Sequence, residues 1–172
     1  GTLVDNLLQF SQMGRSALTP LDVDMDALVA EVRATLEPEA AGRAVAWAVP
    51  RLPTVRGDPV MLRLVWQNLL SNALKYTRPR AEARIAVGWE TAGGETVFWV
   101  RDNGVGFDQA YVGKLFGVFQ RLHRVEECEG VGIGLANVRR AVERHGGRTW
   151  AEGAPDDGAT FFFALPEAAL RS

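Results

Sequence analysis

Apolar residues recur every three to four positions in three parts of the chain, the spacing of helices that bury one face. These parts are residues 3–16, a segment capped by Asp24 or Asp26 that runs to about Leu36, and residues 58–76. Asp58 followed by Pro59 predicts the start of the third helix, since a capping carboxylate and a proline suit a first turn. The face of that helix expected in the core collects apolar residues: Leu62, Val65, Trp66, Leu69 and Ala73.

Shorter stretches rich in β-branched and aromatic residues predict strands. Besides an extended piece at 21–24, they are 43–49, 54–57, 83–90, 95–102, 148–153 and 159–166. Ala92-Gly93-Gly94 predicts a hairpin turn, and a helix at 135–145 stops at Gly146-Gly147. Because helices and strands do not alternate regularly, the sequence predicts an α+β fold with an antiparallel-rich sheet.

The composition bounds the class of protein. With 172 residues, 47% of them hydrophobic, the chain can bury a substantial core, and we expect one main domain. A net charge of −2 gives no positive field for nucleic acid or an anionic membrane surface. No apolar run is long enough to cross a bilayer, no signal peptide is visible, and the lone Cys128 excludes a disulfide framework, so we expect a cytoplasmic protein. The start at Gly1-Thr2 suggests a piece of a longer chain.

The segment "GVGIGLANV" at 130–138 predicts a phosphate-binding loop, since its glycines let backbone N–H groups approach a phosphate at a helix start near Leu135. No Lys follows the glycines, which excludes a P-loop. Counted from Gly132, the sixth position is Asn137, so the dinucleotide fingerprint fits poorly. The preceding residues 107–130 have no clear period, and an irregular stretch of that length is often a functional lid.

A second glycine segment, "VRDNGVGFD" at 100–108, follows an apolar strand. Asp-Asn-Gly is common turn chemistry, and a simple turn is one interpretation. The alternative is that Asp102 accepts a hydrogen bond from an exocyclic amine while Gly104 and Gly106 let a flat base lie against the backbone.

A polar face on the 58–76 helix carries Asn68, Asn72 and Lys75, roughly 120–140° from the apolar face. An exposed polar stripe would explain it, but asparagine is a poor helix former and solvation does not require it there. An amide oxygen is a hard ligand suited to Mg²⁺, and a lysine one turn later suits the same polyphosphate, which favours a functional role.

Taken together, these segments resemble the ATP-binding domain of sensor histidine kinases, within the GHKL ATPase superfamily. The motifs that carry the resemblance appear in the family's order: "NLLSNALKYT" (68–77), "DNGVGF" (102–107), "LFGVFQRLHR" (115–124), "GVGIGLA" (130–136) and "GATFFFALP" (158–166). The sequences of these motifs are most similar to those of kinases linked to phytochromes and PAS-type sensors. The resemblance implies a two-layer α/β sandwich of the Bergerat type, with a mixed, mostly antiparallel sheet covered on one face by helices.

The resemblance also implies a division of the chain: residues 1–18 as the end of a dimerisation helix, 19–168 as the ATP-binding domain and 169–172 as a tail. It implies ATP and Mg²⁺ as cofactors, with Asp102 accepting from the adenine amino group, Asn72 coordinating Mg²⁺ and Asn68 as a second candidate ligand. The remaining residues that it assigns to the nucleotide are Lys75, Tyr76, Gly104, Gly106, Phe107, Gly130, Val131, Gly132, Ile133, Gly134, Leu135 and Thr160. A lid over about 107–134 would close the site.

The resemblance also implies catalytic roles for Asn68, Lys75 and, from the lid, Arg121, which would neutralise charge at the γ-phosphate. His123 and Arg124 are weaker candidates for the role of Arg121. In the hydrolytic branches of the superfamily, a Glu one turn before the Mg²⁺ asparagine activates water. Here that position is Asn68, and an amide cannot act as a general base. Phosphoryl transfer to a protein therefore fits better than ATP hydrolysis.

Departures from the family pattern concern the acceptor and two loop positions. The acceptor histidine of the family lies on an upstream helix, and neither His123 nor His145 has such a context. Val131 replaces a frequent Thr or Ser, which removes a hydroxyl contact and keeps the backbone amides. Asp156 stands where glycine is usual, which should affect a turn more than the nucleotide.

The expected partners are the chain's own upstream dimerisation and phosphoacceptor domain and a response-regulator receiver domain, with no nucleic acid and no membrane contact. We expect a homodimer for the full-length protein and a monomer for this fragment. Three other functions stay open: a regulatory module that binds ATP without transferring phosphate, an anti-sigma type Ser/Thr kinase, and a Rossmann oxidoreductase.

Overall fold

The computed structural model describes residues 18–107 and 134–167. The predicted helix at 3–16, most of the predicted lid and the predicted tail at 169–172 lie outside the described residues. Within them, three helices and seven strands follow one another. In chain order they are β1 (Leu21–Asp24), α1 (Met25–Ala40), β2 (Ala44–Ala48), β3 (Thr54–Gly57), α2 (Pro59–Tyr76), β4 (Glu82–Ala92), β5 (Glu95–Asp102), α3 (Gly134–Arg144), β6 (Arg148–Gly153) and β7 (Ala159–Pro166).

Carboxylate caps start the first two helices. Asp24 accepts from the backbone N–H groups of residues 26 and 27, so Asp24 is the cap of α1, and Asp58 caps α2 in the same way with Pro59 in the first turn. The predicted end of α1 at Leu36 was wrong by one turn. The helix continues to Ala40 with Pro38 inside it, although a proline beyond the first turn removes one helical hydrogen bond and crowds the carbonyl four residues before it.

The main sheet has five strands in the order β2-β4-β5-β7-β6. Only the β2–β4 pair is parallel, while β4–β5, β5–β7 and β6–β7 are antiparallel. The predicted hairpin turn is confirmed, with φ angles of 59° and 80° at Gly93 and Gly94 that suit residues without a side chain. β1 and β3 form a separate two-stranded antiparallel sheet, a pairing that the sequence pattern did not predict.

The core lies between the helices and one face of the main sheet, as the predicted two-layer sandwich requires. α2 contacts both α1 and α3, and all five residues predicted for its core face are at most 2% exposed. Trp66 is fully buried at the centre, with its ring edge-on to Phe98 and Phe163 at centroid distances of 5.7 and 5.2 Å. On the opposite face of the sheet, Phe162 stacks on Trp150 at 5.0 Å.

Candidate functional site

The polar face of α2 carries two asparagines one turn apart. Asn72 is only 4% exposed, and its Nδ2 is enclosed without a hydrogen-bond partner among the described residues. Asn68 is half-buried and its Nδ2 donates to the carbonyl of Leu64 at 2.9 Å. Lys75 is half-buried in the last turn. The Nδ2 donor of Asn72 is therefore unsatisfied within the described part of the chain, a state that costs free energy.

Asp102 ends β5 as a buried carboxylate, 4% exposed. Its Oδ1 accepts from the backbone N–H of Gly104 at 2.8 Å, whereas its Oδ2 has no hydrogen-bond partner within the described part of the chain. Burial raises the pKa of Asp102 to about 6, although the N–H groups of Gly104 and Ala159 and the charge of Arg80 act in the other direction. Oδ2 is therefore a buried hydrogen-bond acceptor without a donor among the described residues.

The glycine turn after Asp102 is fitted closely between two backbone segments. A side chain at Gly104 would come within 2.5 Å of the Tyr76 carbonyl, the same oxygen that accepts from the N–H of Val105 at 3.1 Å. Gly106 has a φ of 66°, and a side chain there would overlap the carbonyl of Ala154. Only glycine fits both positions, so the turn is held against the end of α2.

The start of α3 lies against the middle of α2. A side chain at Gly134 would come within 2.9 Å of Asn68 Oδ1. Leu135 is fully buried and belongs to the core. Asn68 thus lies against the glycine of the fourth motif that starts α3, and Tyr76 lies against the second motif, with Asn72 one turn from each on the same helix. The structure brings three separated motifs together along one side of α2.

Several predicted residues lie outside the described part of the chain, namely Arg121, His123, Arg124, Gly130, Val131, Gly132 and Ile133. Two others are core residues: Tyr76 stacks against Phe161 at 6.4 Å, and Phe107 packs on the same ring at 6.1 Å. Both side chains are buried.

The structure does not support the prediction that Thr160 lines the nucleotide site. Register partners on neighbouring strands share a face of the sheet, and Asp102 pairs with Ala159 while Arg101 pairs with Thr160. Thr160 Oγ1 accepts from Arg101 Nε at 3.3 Å on that other face. Ala159 takes the place beside the carboxylate because side chains alternate along β7.

Two arginines near the site were missed by the sequence reasoning. Arg80 donates to the backbone carbonyls of Asn103, Gly104 and Asp156 at 2.8, 2.9 and 2.9 Å. Arg43 donates to the Leu74 carbonyl at the end of α2 at 2.8 Å. Arg80 lies in a polar segment without periodicity and Arg43 lies at the first position of a predicted strand, so nothing in the sequence distinguishes them from solvated arginines.

One protein-family model matches the chain. The model described as histidine kinase-, DNA gyrase B- and HSP90-like ATPase matches residues 57–169, more than half of the chain. The chain belongs to this ATPase family. The matched region includes α2, Asp102 with its glycine turn, and α3. The predicted resemblance is confirmed.

Curated relatives of the chain include sensory kinases. It is 34% identical to cyanobacterial phytochrome A of Nostoc sp. over 96% of this chain and 21% of that protein. It is 37% identical to the methanogenesis regulatory histidine kinase FilI of Methanothrix harundinacea over 95% of this chain and 18% of that protein. The chain spans about a fifth of the length of these relatives.

Solved structures share the fold. Full-length ShkA in complex with AMPPNP superposes with a TM-score of 0.78 at 31% identity, covering 98% of this chain and 37% of that one. The mycobacterial sensor histidine kinase MprB gives a TM-score of 0.71 at 22% identity, covering 86% of this chain and 97% of that one, which bears on the fold alone. Across residues 18–107 and 134–167, no helix has both the length and the apolar character needed to span a bilayer.

Proposed function

We propose that the chain is the ATP-binding catalytic domain of a sensor histidine kinase, which transfers the γ-phosphoryl group of Mg-ATP to a histidine on an upstream dimerisation domain. The observation that carries the proposal is the buried carboxylate of Asp102, whose Oδ2 has no partner within the described residues. In a member of this ATPase family, that acceptor fits the amino group of adenine.

Adenine recognition rests on a charge-assisted hydrogen bond. With a pKa of about 6, Asp102 is mostly ionised at neutral pH, so its Oδ2 accepts from the exocyclic amine. Gly104 and Gly106 present bare backbone beside it. A guanine base would place an oxygen against the carboxylate, and the two acceptors would repel each other.

Asn72 would hold Mg²⁺ through its amide oxygen, with Asn68 as a second candidate. The placement of Asn72 on one face of α2 with Asn68 and Lys75 supports this role. The described residues contain no group of three or more His, Cys, Asp or Glu side chains that could hold a metal. One or two protein oxygens plus substrate phosphates is a usual environment for Mg²⁺, which neutralises phosphate charge. Lys75 and Arg121 would contact the phosphates.

Asn68 favours transfer over hydrolysis. Its Nδ2 donates to the Leu64 carbonyl, and an amide has no basic pair with which to activate water. In the transfer, the bond from the γ-phosphorus to the bridging oxygen of ADP breaks, and a bond forms to an acceptor nitrogen. The proposal includes three partners. They are the acceptor histidine, the homodimer that presents this histidine, and a response-regulator receiver domain that receives the phosphoryl group next.

Calorimetric titration with a non-hydrolysable ATP analogue tests the site. We expect Mg²⁺-dependent binding to this chain and a loss of at least about 30-fold in Asp102→Asn, since the substitution directs an amide donor at the adenine amine. Asp157→Asn, which alters an exposed carboxylate on a nearby turn, is the matched control. Unchanged affinity in Asp102→Asn would contradict the adenine assignment.

Radiolabelled ATP and a separately prepared dimerisation domain test the transfer. Label on the domain that is lost in acid identifies a phosphohistidine and supports the proposal. Acid-stable label on serine would favour the anti-sigma type of kinase, and binding without any label would favour a regulatory module.

A further inference from the structure

Arg80 lies four residues beyond the end of α2 and is half-buried. Its backbone N–H donates to the Thr77 carbonyl at 2.9 Å, which fixes the residue in a turn at the helix end. From there the guanidinium reaches two other segments, the glycine turn after β5 and the turn between β6 and β7. It is therefore anchored to the helix that carries Asn72 while it contacts the segment that follows Asp102.

The contacts of Arg80 use one edge of the guanidinium. Nε donates to the Asn103 carbonyl at 2.8 Å, and Nη2 donates to the carbonyls of Gly104 and Asp156, both at 2.9 Å. The same two segments are joined by Asp156 N to Val105 O at 2.6 Å and Gly158 N to Gly104 O at 3.1 Å. A lysine ammonium lacks the planar fork that serves neighbouring carbonyls at once.

One peptide unit connects Arg80 to the carboxylate. The carbonyl of Asn103 and the N–H of Gly104 belong to the same peptide, and Arg80 binds the carbonyl while Asp102 Oδ1 accepts from the N–H at 2.8 Å. A cation on the carbonyl polarises the peptide and strengthens its N–H as a donor. The contact fixes which carboxylate oxygen is satisfied inside the protein and which one remains for a ligand.

We propose that Arg80 is a positioning residue for adenine: through the Asn103–Gly104 peptide it orients the Asp102 carboxylate so that Oδ2 is presented to the exocyclic amine. This inference rests on the proposed nucleotide site and deepens it. Arg80 acts through the peptide and makes no contact with the base. It sets selectivity by holding the carboxylate and the glycine turn in one arrangement.

Selectivity between ATP and inosine triphosphate provides the test, because inosine carries an oxygen where adenine carries the amine. We expect Arg80→Gln to weaken ATP binding about tenfold or more and inosine triphosphate binding by less than about threefold, so that the ratio of the two affinities collapses. Arg80→Lys keeps the charge without the fork and should also lower the ratio. Arg84→Gln removes an exposed arginine that pairs with Glu82 and should leave the ratio unchanged.

The pH profile of ATP binding gives a second measure. The groups that act on Asp102 are Arg80 and the N–H groups of Gly104 and Ala159, and Arg80 is the one cation among the described residues that lowers the pKa of Asp102. We therefore expect the midpoint for acid loss of binding, near pH 6 in the native chain, to rise in Arg80→Gln. A merely structural role would weaken both nucleotides equally and leave the midpoint in place.

The outcomes separate the two proposals. If the native chain prefers ATP and folded Arg80→Gln keeps both the native ratio and the native midpoint, the role of Arg80 is overturned and the nucleotide site stands. If Arg80→Gln does not fold, the ratio in Arg80→Lys decides. If the native chain does not prefer ATP over inosine triphosphate, the adenine assignment falls, and the role of Arg80 with it.

Discussion

Asp102 is held in the folded chain at a cost to stability. Its ordinary pKa of 3.8 is raised to about 6, chiefly by burial. The folded state therefore binds more protons than the unfolded state between those values, and the free energy of unfolding falls as the pH rises through this range. Above pH 6 the carboxylate is charged, buried and only half satisfied, which is the state that a ligand donor would relieve.

Asp102→Asn should stabilise the ligand-free chain at pH 7.5. The raised pKa corresponds to a cost of up to about 3 kcal/mol for the ionised form, and asparagine keeps an oxygen for the N–H of Gly104. We expect the free energy of unfolding in urea to rise by about 1–3 kcal/mol at pH 7.5 and by much less at pH 4. A decrease at pH 7.5 would show that the carboxylate is compensated in the free protein.

Gly106→Ala should destabilise the chain by about 3 kcal/mol or more, because it combines an unfavourable φ with overlap against the Ala154 carbonyl. Gly42 has a φ of 77° with nothing within 4 Å of an added side chain, so Gly42→Ala is the matched control and should cost only about 1 kcal/mol. Equal losses of stability in chemical denaturation would contradict the close approach of the two turns.

At the scale of elements, α2 and α3 are joined at their far ends by a histidine. His145, 6% exposed, follows α3; its Nδ1 is 2.7 Å from the Ala141 carbonyl, and its Nε2 accepts from the N–H of Asp58 at 2.9 Å. Burial lowers the pKa of His145 although the Asp58 carboxylate acts to raise it. The neutral ring therefore links the end of one site helix to the cap of the other.

Mild acid should loosen this junction. The unfolded chain protonates its histidines near pH 6.5 and the folded chain resists, so stability falls as the pH drops below about 6.5 towards the lowered folded pKa. Protonation leaves the buried N–H of Asp58 without its acceptor, a cost of about 1–3 kcal/mol.

His145→Gln should reduce that loss of stability, measured in urea between pH 7 and 5, because glutamine does not titrate and retains an acceptor oxygen. His123 is present in both proteins, so the difference between them isolates His145. Parallel pH profiles would contradict the assignment.

At the scale of the whole molecule, the two layers meet at Trp66. Its ring contacts Phe98 on β5 and Phe163 on β7, and β5 ends in Asp102 while α2 carries Asn72. The central aromatic contacts therefore set the separation of the helix and the strand that bear the site. Packing at this joint should affect both stability and nucleotide affinity.

Trp66→Ala should lower the free energy of unfolding by about 3–5 kcal/mol, the usual cost of a large cavity in a core, and should weaken binding of the ATP analogue. Trp150→Ala removes a tryptophan from the opposite face of the sheet, where the ring is half-buried on Phe162, and should cost less and spare affinity. Urea denaturation and calorimetry on both variants check the comparison.

Much of the architecture was predictable because the ends and buried faces of helices and strands depend on local periodicity and on capping residues. The apolar face of α2, the cap at Asp58 and the bounds of β6 and β7 followed from spacing alone, whereas spacing left both Asp24 and Asp26 open as the cap of α1. The end of α1 did not follow from spacing, because the helix continues through Pro38, and a proline usually ends or kinks a helix. The placement of Thr160 did not either, because which face of β7 meets the helices depends on its register with β5.

The sequence by itself determined the family, the order of the motifs and the residue types that suit adenine, phosphate and Mg²⁺, because these depend on chemistry along the chain. The tertiary structure decided which polar groups are buried and which segments, distant in sequence, contact one another. It left Asp102 Oδ2 and Asn72 Nδ2 without hydrogen-bond partners among the described residues. It also brought the guanidinium of Arg80 onto the carbonyls of two loops. Such burial and convergence arise only when segments separated by tens of residues pack together, and no local pattern records them.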